Sequence, residues 1–237
     1  GKRVGLNVSG PAPKSLSVAA LKDRGFEKIP SYGVEPIDVP GAVAGWMTLH
    51  ERFGKLPLEE VMAPAIRYAE EGYPVTPNIS RLWQEAFENY SKYRERPEFQ
   101  GWFDTFAPNN TWLKPGEMFR CPDMAKTLKE IAATKGEAFY RGAIAVKIDA
   151  FFKKHNGFLI KEDLAAFKPE WVDPISVNYH GVDVWELPPN GHGITVLMAL
   201  QILKDMNLAE RDCADTMHKQ IEAMKLAMVD TAEYVAE

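Results

Sequence analysis

Two alternating runs meet at a two-residue turn, and little other than a β-hairpin can be built from them. Residues 175–179 (Ile-Ser-Val-Asn-Tyr) and the start of 182–187 (Val-Asp-Val-Trp-Glu-Leu) alternate apolar with polar side chains, and His180-Gly181 between them suits a tight reversal. The hairpin runs into Pro188-Pro189-Asn190-Gly191-His192-Gly193, a stiff stretch and then a permissive one, before a helical run carrying Ile194, Leu197, Leu200 and Leu203.

Elsewhere the apolar spacing is mostly helical. An opening strand over residues 3–8 gives way to a short helix over 15–24, ended by Gly25, and then to a helical face at 41–53 with Val43, Met47, Leu49 and Phe53. Pro57, followed by Glu59 and Glu60, suits the start of a helix whose stripe is Val61, Met62, Ala65, Ile66 and Ala69. Pro64 lies inside that run and has no N–H to give the preceding turn, so a kink or two short helices are expected there. Further helices are expected near 78–92, over 122–134, over 137–154 and from Glu162 to Phe167. The last, over 213–236, spaces Met217, Ile221, Met224 and Met228 as a stripe that reads as core. Residues 73–120 are aromatic-rich, which fits either a lip over a substrate pocket or a satellite core beneath a long loop. With no repeat and no low-complexity linker, one mixed α+β unit, mainly helical, is favoured.

Several function classes drop out. The net charge is −5 and the Lys and Arg residues are spread along the chain, which leaves no electrostatic footprint for nucleic acid. No apolar run approaches the ~18 residues of a membrane span. The chain opens on Gly1, close to a strand-like run, so residues upstream are expected to be missing. Cys121 and Cys213 lack metal-ligand spacing, and His218 with Glu222 lacks a third ligand, so neither a metal nor any other cofactor is expected. Asn7, Asn78, Asn89 and Asn109 begin Asn-x-Ser/Thr triplets, which arise often by chance. His192 between two glycines could be a general base or a turn residue, and no Gly-x-Ser-x-Gly elbow is present. Read from the residues alone, the chain holds no assembled active site.

A colinear set of motifs resembles the γ-glutamyltranspeptidase family. It comprises Val39-Pro40-Gly41-Ala42-Val43-Ala44-Gly45, Phe53-Gly54-Lys55-Leu56-Pro57, Ala63-Pro64-Ala65-Ile66 and Glu70-Glu71-Gly72-Tyr73-Pro74-Val75. Then come Pro122-Asp123-Met124-Ala125, Phe139-Tyr140-Arg141-Gly142, Glu162-Asp163-Leu164-Ala165, the hairpin with its loop, and Asp230-Thr231-Ala232-Glu233-Tyr234. The resemblance implies that residues 1–237 are a single segment of the large subunit of an αββα N-terminal-nucleophile hydrolase. It also implies a precursor that cuts itself, so that a threonine outside this chain opens a small subunit, with its freed α-amino group as base. No catalytic residue is then expected within the chain. Its partners would be that small subunit and a γ-glutamyl or acyl-amide substrate, with a homo-oligomer left open.

Two departures bear on specificity. The register set by Ala12-Pro13 puts Ser9 where the transpeptidases carry an arginine for the glutamyl α-carboxylate, and a serine offers no charged fork. Lys14 is the nearest replacement cation. Asn190 and His192 stand where those enzymes carry a Ser-Ser-Gly-Gly type loop. Ser9, Lys14, Asn190 and His192 are therefore the expected substrate-binding residues, and the chain looks closer to the acylase branch. A non-catalytic scaffold keeping the same fold is the alternative.

Overall fold

The computed structural model describes residues 2–208 and 210–235. Its contacts divide into two compact units. The larger is Gly10–Phe167, and the smaller joins the chain up to Ser9 with the chain from Lys168 onward. That division follows from one long-range pairing, because the opening strand finds its partner only after the larger unit is complete.

After β1 (Gly5–Asn7), the larger unit holds α1 (Val18–Asp23), α2 (Ala42–Phe53), α3 (Leu58–Glu71), β2 (Tyr73–Pro74), α4 (Pro77–Tyr90) and α5 (Gln100–Phe106). It continues with β3 (Met118–Phe119), α6 (Pro122–Thr134), α7 (Glu137–Tyr140), α8 (Ala143–Lys154) and α9 (Lys161–Ala166). The smaller unit adds β4 (Glu170–Val172), β5 (Ile175–Tyr179), β6 (Val182–Glu186), α10 (Gly193–Leu203) and α11 (Ala214–Tyr234). The mainly helical class with a hairpin near 175–187 is as expected. Position 236, expected from sequence to be helical, lies outside the described residues.

In the larger unit α3 lies along α6, and buried Val39, Val43, Met62, Ile131, Leu159 and Leu164 belong to one continuous core. Polar groups tie its pieces together. Tyr140 Oη donates to the Pro40 carbonyl at 2.7 Å and accepts from the Ala44 N–H at 3.0 Å, which fixes α7 against the start of α2; burial pushes this phenol up from its ordinary value. Asp163, also buried, accepts from the Lys14 and Ile160 N–H groups, both at 3.2 Å. Buried carboxylates require such partners. A second cluster buries Phe99, Phe103 and Ala107 among Tyr32, Tyr90, Tyr93 and Trp102, with the Tyr93 and Phe99 rings stacked at 4.9 Å. The aromatic segment thus builds the satellite core, carried largely by helices.

Two helix boundaries differ from the sequence reading. α3 runs unbroken through Pro64, because the packing of Leu58 and Met62 outweighs the one hydrogen bond that proline removes. The run expected at 137–154 is two helices, since Gly142 leaves helical geometry at φ −112° and ψ −146°.

The smaller unit is thinner. β1 pairs antiparallel with β4, Leu6 opposite Trp171, and β5 pairs with β6, Val177 opposite Val184. The hairpin turns on His180 at φ +48° and Gly181 at φ +86°, the paired left-handed geometry of a two-residue turn. Asn178 supports it by accepting from the Gly181 N–H at 3.2 Å. α10 packs on both the hairpin and α11.

Here the largest correction falls. Met217, Ile221, Met224 and Met228 were expected in the core, yet they are 49%, 54%, 39% and 58% exposed. The buried residues of α11 are instead Thr216, Ala223, Ala227 and Thr231. These are small residues, which let two helix backbones approach closely, so α11 meets α10 along a different line from its largest side chains. Within that seam the hydroxyls of Thr195 and Thr231 bond each other at 2.8 Å.

Candidate functional site

The loop after the hairpin is held from two sides. β6 delivers the chain to Pro188, and α10 begins at Gly193, where a Cβ would come within 2.5 Å of Glu186 Oε2, so only glycine allows this close return onto the strand. β1 is drawn to the same region: the Arg3 guanidinium lies over the Trp185 ring at 4.7 Å from its centre. Residue 7, at the end of β1, therefore reaches the loop.

Asn7 makes the connection. Its Nδ2 donates to Asn190 Oδ1 at 3.3 Å, and its own Oδ1 accepts the Ser9 N–H at 3.0 Å. One amide side chain thus spans the strand exit and the loop, bringing together Ser9 and Asn190, two of the four residues singled out from sequence. Asn7 was seen there only as the start of a sequon. The signal that could have found it is its position two residues before Ser9, the spacing of an Asx turn.

His192 adjoins this network without entering it. It is exposed and occupies the N-cap position of α10, where its carbonyl accepts the Thr195 N–H at 3.0 Å and its side chain makes no cap bond. That end of α10 presents first-turn N–H groups and the positive end of the helix dipole. Lys14 belongs to the larger unit, where its side chain is exposed and its backbone N–H serves Asp163.

The rest of the sequence-level chemistry is structural. Among the described residues no group of three His, Cys, Asp or Glu side chains is placed to hold a metal ion. Glu222 accepts from Lys225 Nζ at 2.7 Å, and that hydrogen bond holds its carboxyl below the ordinary value, so the Glu222 of the His218 pair is already engaged. Both cysteines are free of disulfides; Cys213 caps α11, accepting the Thr216 N–H at 3.4 Å, and its hydrogen bonds with the Thr216 side chain and backbone lower its thiol pKa. In the larger unit an apolar cavity of about 280 Å³ is walled by Tyr73, Leu82, Trp83, Trp102, Phe106 and Phe119. No helix among the described residues is long and apolar enough to cross a membrane.

Comparison with known proteins puts a family beside this geometry. The family model described as Gamma-glutamyltranspeptidase matches residues 1–237. A glutathione hydrolase proenzyme of Pseudomonas aeruginosa is 31% identical over 245 residues, covering 100% of this chain and 42% of that protein. Among solved structures, the cephalosporin acylase from Bacillus halodurans superposes with a TM-score of 0.96 at 51% identity, covering 99% of this chain and 44% of that one. The Helicobacter pylori gamma-glutamyltranspeptidase superposes with a TM-score of 0.88 at 27% identity, covering 100% of this chain and 68% of that one. The chain thus spans less than half the length of the curated relative and of the acylase.

Proposed function

The chain belongs to the gamma-glutamyltranspeptidase family, and on that premise we propose that it is the large-subunit part of an amide hydrolase or acyltransferase whose nucleophile lies outside it. The full-length match to proenzymes that are more than twice as long carries this reading. Within it, the present chain positions substrate and a separate N-terminal threonine attacks the amide carbonyl. The threonine's own α-amino group takes the hydroxyl proton and gives it to the nitrogen of the breaking C–N bond, so that the amine leaves; the acyl group, now an ester on the threonine, then passes to water or to an acceptor amine and the hydroxyl is regenerated.

The chain's contribution is the loop from Pro188 to His192 with the strand exit at Ser9. Asn7 holds Asn190 in place, and Asn190, Ser9 and the amide N–H groups at the start of α10 offer uncharged donors to substrate oxygens. This set lacks the guanidinium fork that pairs best with a free carboxylate. Lys14 would act only as a point charge. The substrates favoured are therefore acyl amides without an α-carboxylate next to the reacting group.

Two measurements on the complete precursor test this. Intact-mass analysis should find two fragments, the second beginning at a threonine, and an uncut precursor without amidase activity would favour the scaffold. Ser9→Arg should then shift the ratio of specificity constants toward glutathione over a neutral acyl amide by roughly ten- to a hundredfold, the size of one charge-assisted hydrogen bond. An unchanged ratio in a normally processed variant would remove position 9 from the substrate site.

A further inference from the structure

Within the smaller unit, β1 and the approach to the candidate loop run side by side, and their contacts fall on alternate residues of the strand. Arg3 lies over the Trp185 ring, Gly5 stands against Leu187, and Asn7 donates to Asn190. Alternate residues of a strand share one face, so a single face of β1 is laid along residues 185–190. The step from 187 to 190 is one residue longer than the step from 185 to 187, because the chain has left β6 at Glu186.

The middle contact is the tightest. Gly5 is buried, pairs with Val172 of β4 and does not take a left-handed φ, so its backbone would accept a side chain. The space would not. A Cβ there would overlap Leu187 Cδ2 and stand 3.0 Å from Val172 Cγ2 and 3.2 Å from the Val172 carbonyl oxygen. An alanine must therefore part β1 from residue 187, since Val172 bars movement the other way. The Asn7–Asn190 bond, at 3.3 Å, is already near the limit of reach, and a shift of about 0.5 Å would break it. We infer that Gly5 is a positioning residue: by lacking a side chain it lets β1 close on Leu187 and brings Asn7 to Asn190. The inference rests on the functional reading above, in which Asn190 meets the substrate.

The test uses the complete, processed protein. Gly5→Ala should raise KM for an acyl amide by roughly two- to tenfold, the worth of one neutral hydrogen bond, with kcat nearly unchanged. Leu187→Ala removes the atom that the new methyl would strike, so the double variant Gly5→Ala/Leu187→Ala should return to the KM of Leu187→Ala alone. Added to Asn7→Ala, Gly5→Ala should raise KM no further, because both act through one bond. A parent-like KM with Asn7 still bonded to Asn190 in the crystal structure of Gly5→Ala would overturn the inference. So would a double variant without recovery, or additive losses with Asn7→Ala. If Gly5→Ala does not fold, a double variant that folds with the KM of Leu187→Ala supports the inference, and one that also fails to fold overturns it. A parent-like KM with Asn7 and Asn190 parted would sink the functional reading alone. In a protein inert toward amides the crystal structures decide: the bond lost in Gly5→Ala and regained in the double variant supports the inference, and any other pattern overturns it.

Discussion

The two units of this chain are stabilised in different ways. In the larger, aromatic and aliphatic side chains from many elements close over one another, and residues such as Leu164, Leu159 and Phe103 are almost wholly out of water. It also exposes apolar side chains, Trp46, Leu49 and Phe53 of α2 among them, but these add to a core already present. In the smaller, the buried residues of α11 are alanines and threonines, and the large apolar side chains of that helix face outward. A small-residue seam brings backbones close but buries little area, so it positions a loop without stabilising a domain. The difference teaches that the unit carrying the candidate site is the one that depends on further contacts.

That contrast can be broken in order of expected effect. Phe103→Ala should destabilise the larger unit by about 3–5 kcal/mol in denaturant unfolding of the complete protein. A loss below about 1 kcal/mol would mean that the satellite core is not a core. Thr231→Val removes one hydroxyl of the buried pair and leaves Thr195 without that partner, which should cost about 1–3 kcal/mol, while Thr195→Val added to it should restore part of the loss. Purely additive losses would show that the pair does not couple α10 to α11.

On the proposed function, Asn7→Ala should lower stability little, by about 0.5–1.5 kcal/mol, yet raise KM for an acyl-amide substrate, because it removes the side chain that bonds both the Ser9 N–H and Asn190. An unchanged KM would separate the Asn7 network from substrate binding. The smallest effect is one of pH. The hydrogen bond from Lys153 is the first cause holding the Asp149 carboxyl below its ordinary value of 3.8, and the Lys161 N–H adds to it. A depressed carboxylate stabilises the fold above its unfolded pKa and loses that contribution as pH falls through the folded one. Asp149→Asn should therefore be less stable than the parent at neutral pH, and the gap should close in titrations below about pH 4.

Much of this was legible before the structure. The hairpin declared itself through period-two alternation and His180-Gly181, and most helices through caps such as Pro122 and stops such as Gly25. What failed was the α11 stripe. Periodicity identifies an apolar face but not which neighbour covers it, and when the neighbour approaches along small residues the largest side chains are left over. Pro64 misled for a related reason, since tertiary packing of α3 overrode a local penalty. In the site, Ser9 and Asn190 came from register and motif, but their connection through Asn7 spans 183 residues between Asn7 and Asn190, a distance no local pattern encodes.

Amide hydrogen exchange on residues 1–237 alone and on the complete protein tests the central claim most directly. The account predicts that α3, α6 and α9 keep similar protection in both, while α10, α11 and the β5–β6 hairpin gain strongly in the complete protein. Equal protection of α11 and the hairpin in both would contradict it, because the smaller unit would then be stable on its own contacts.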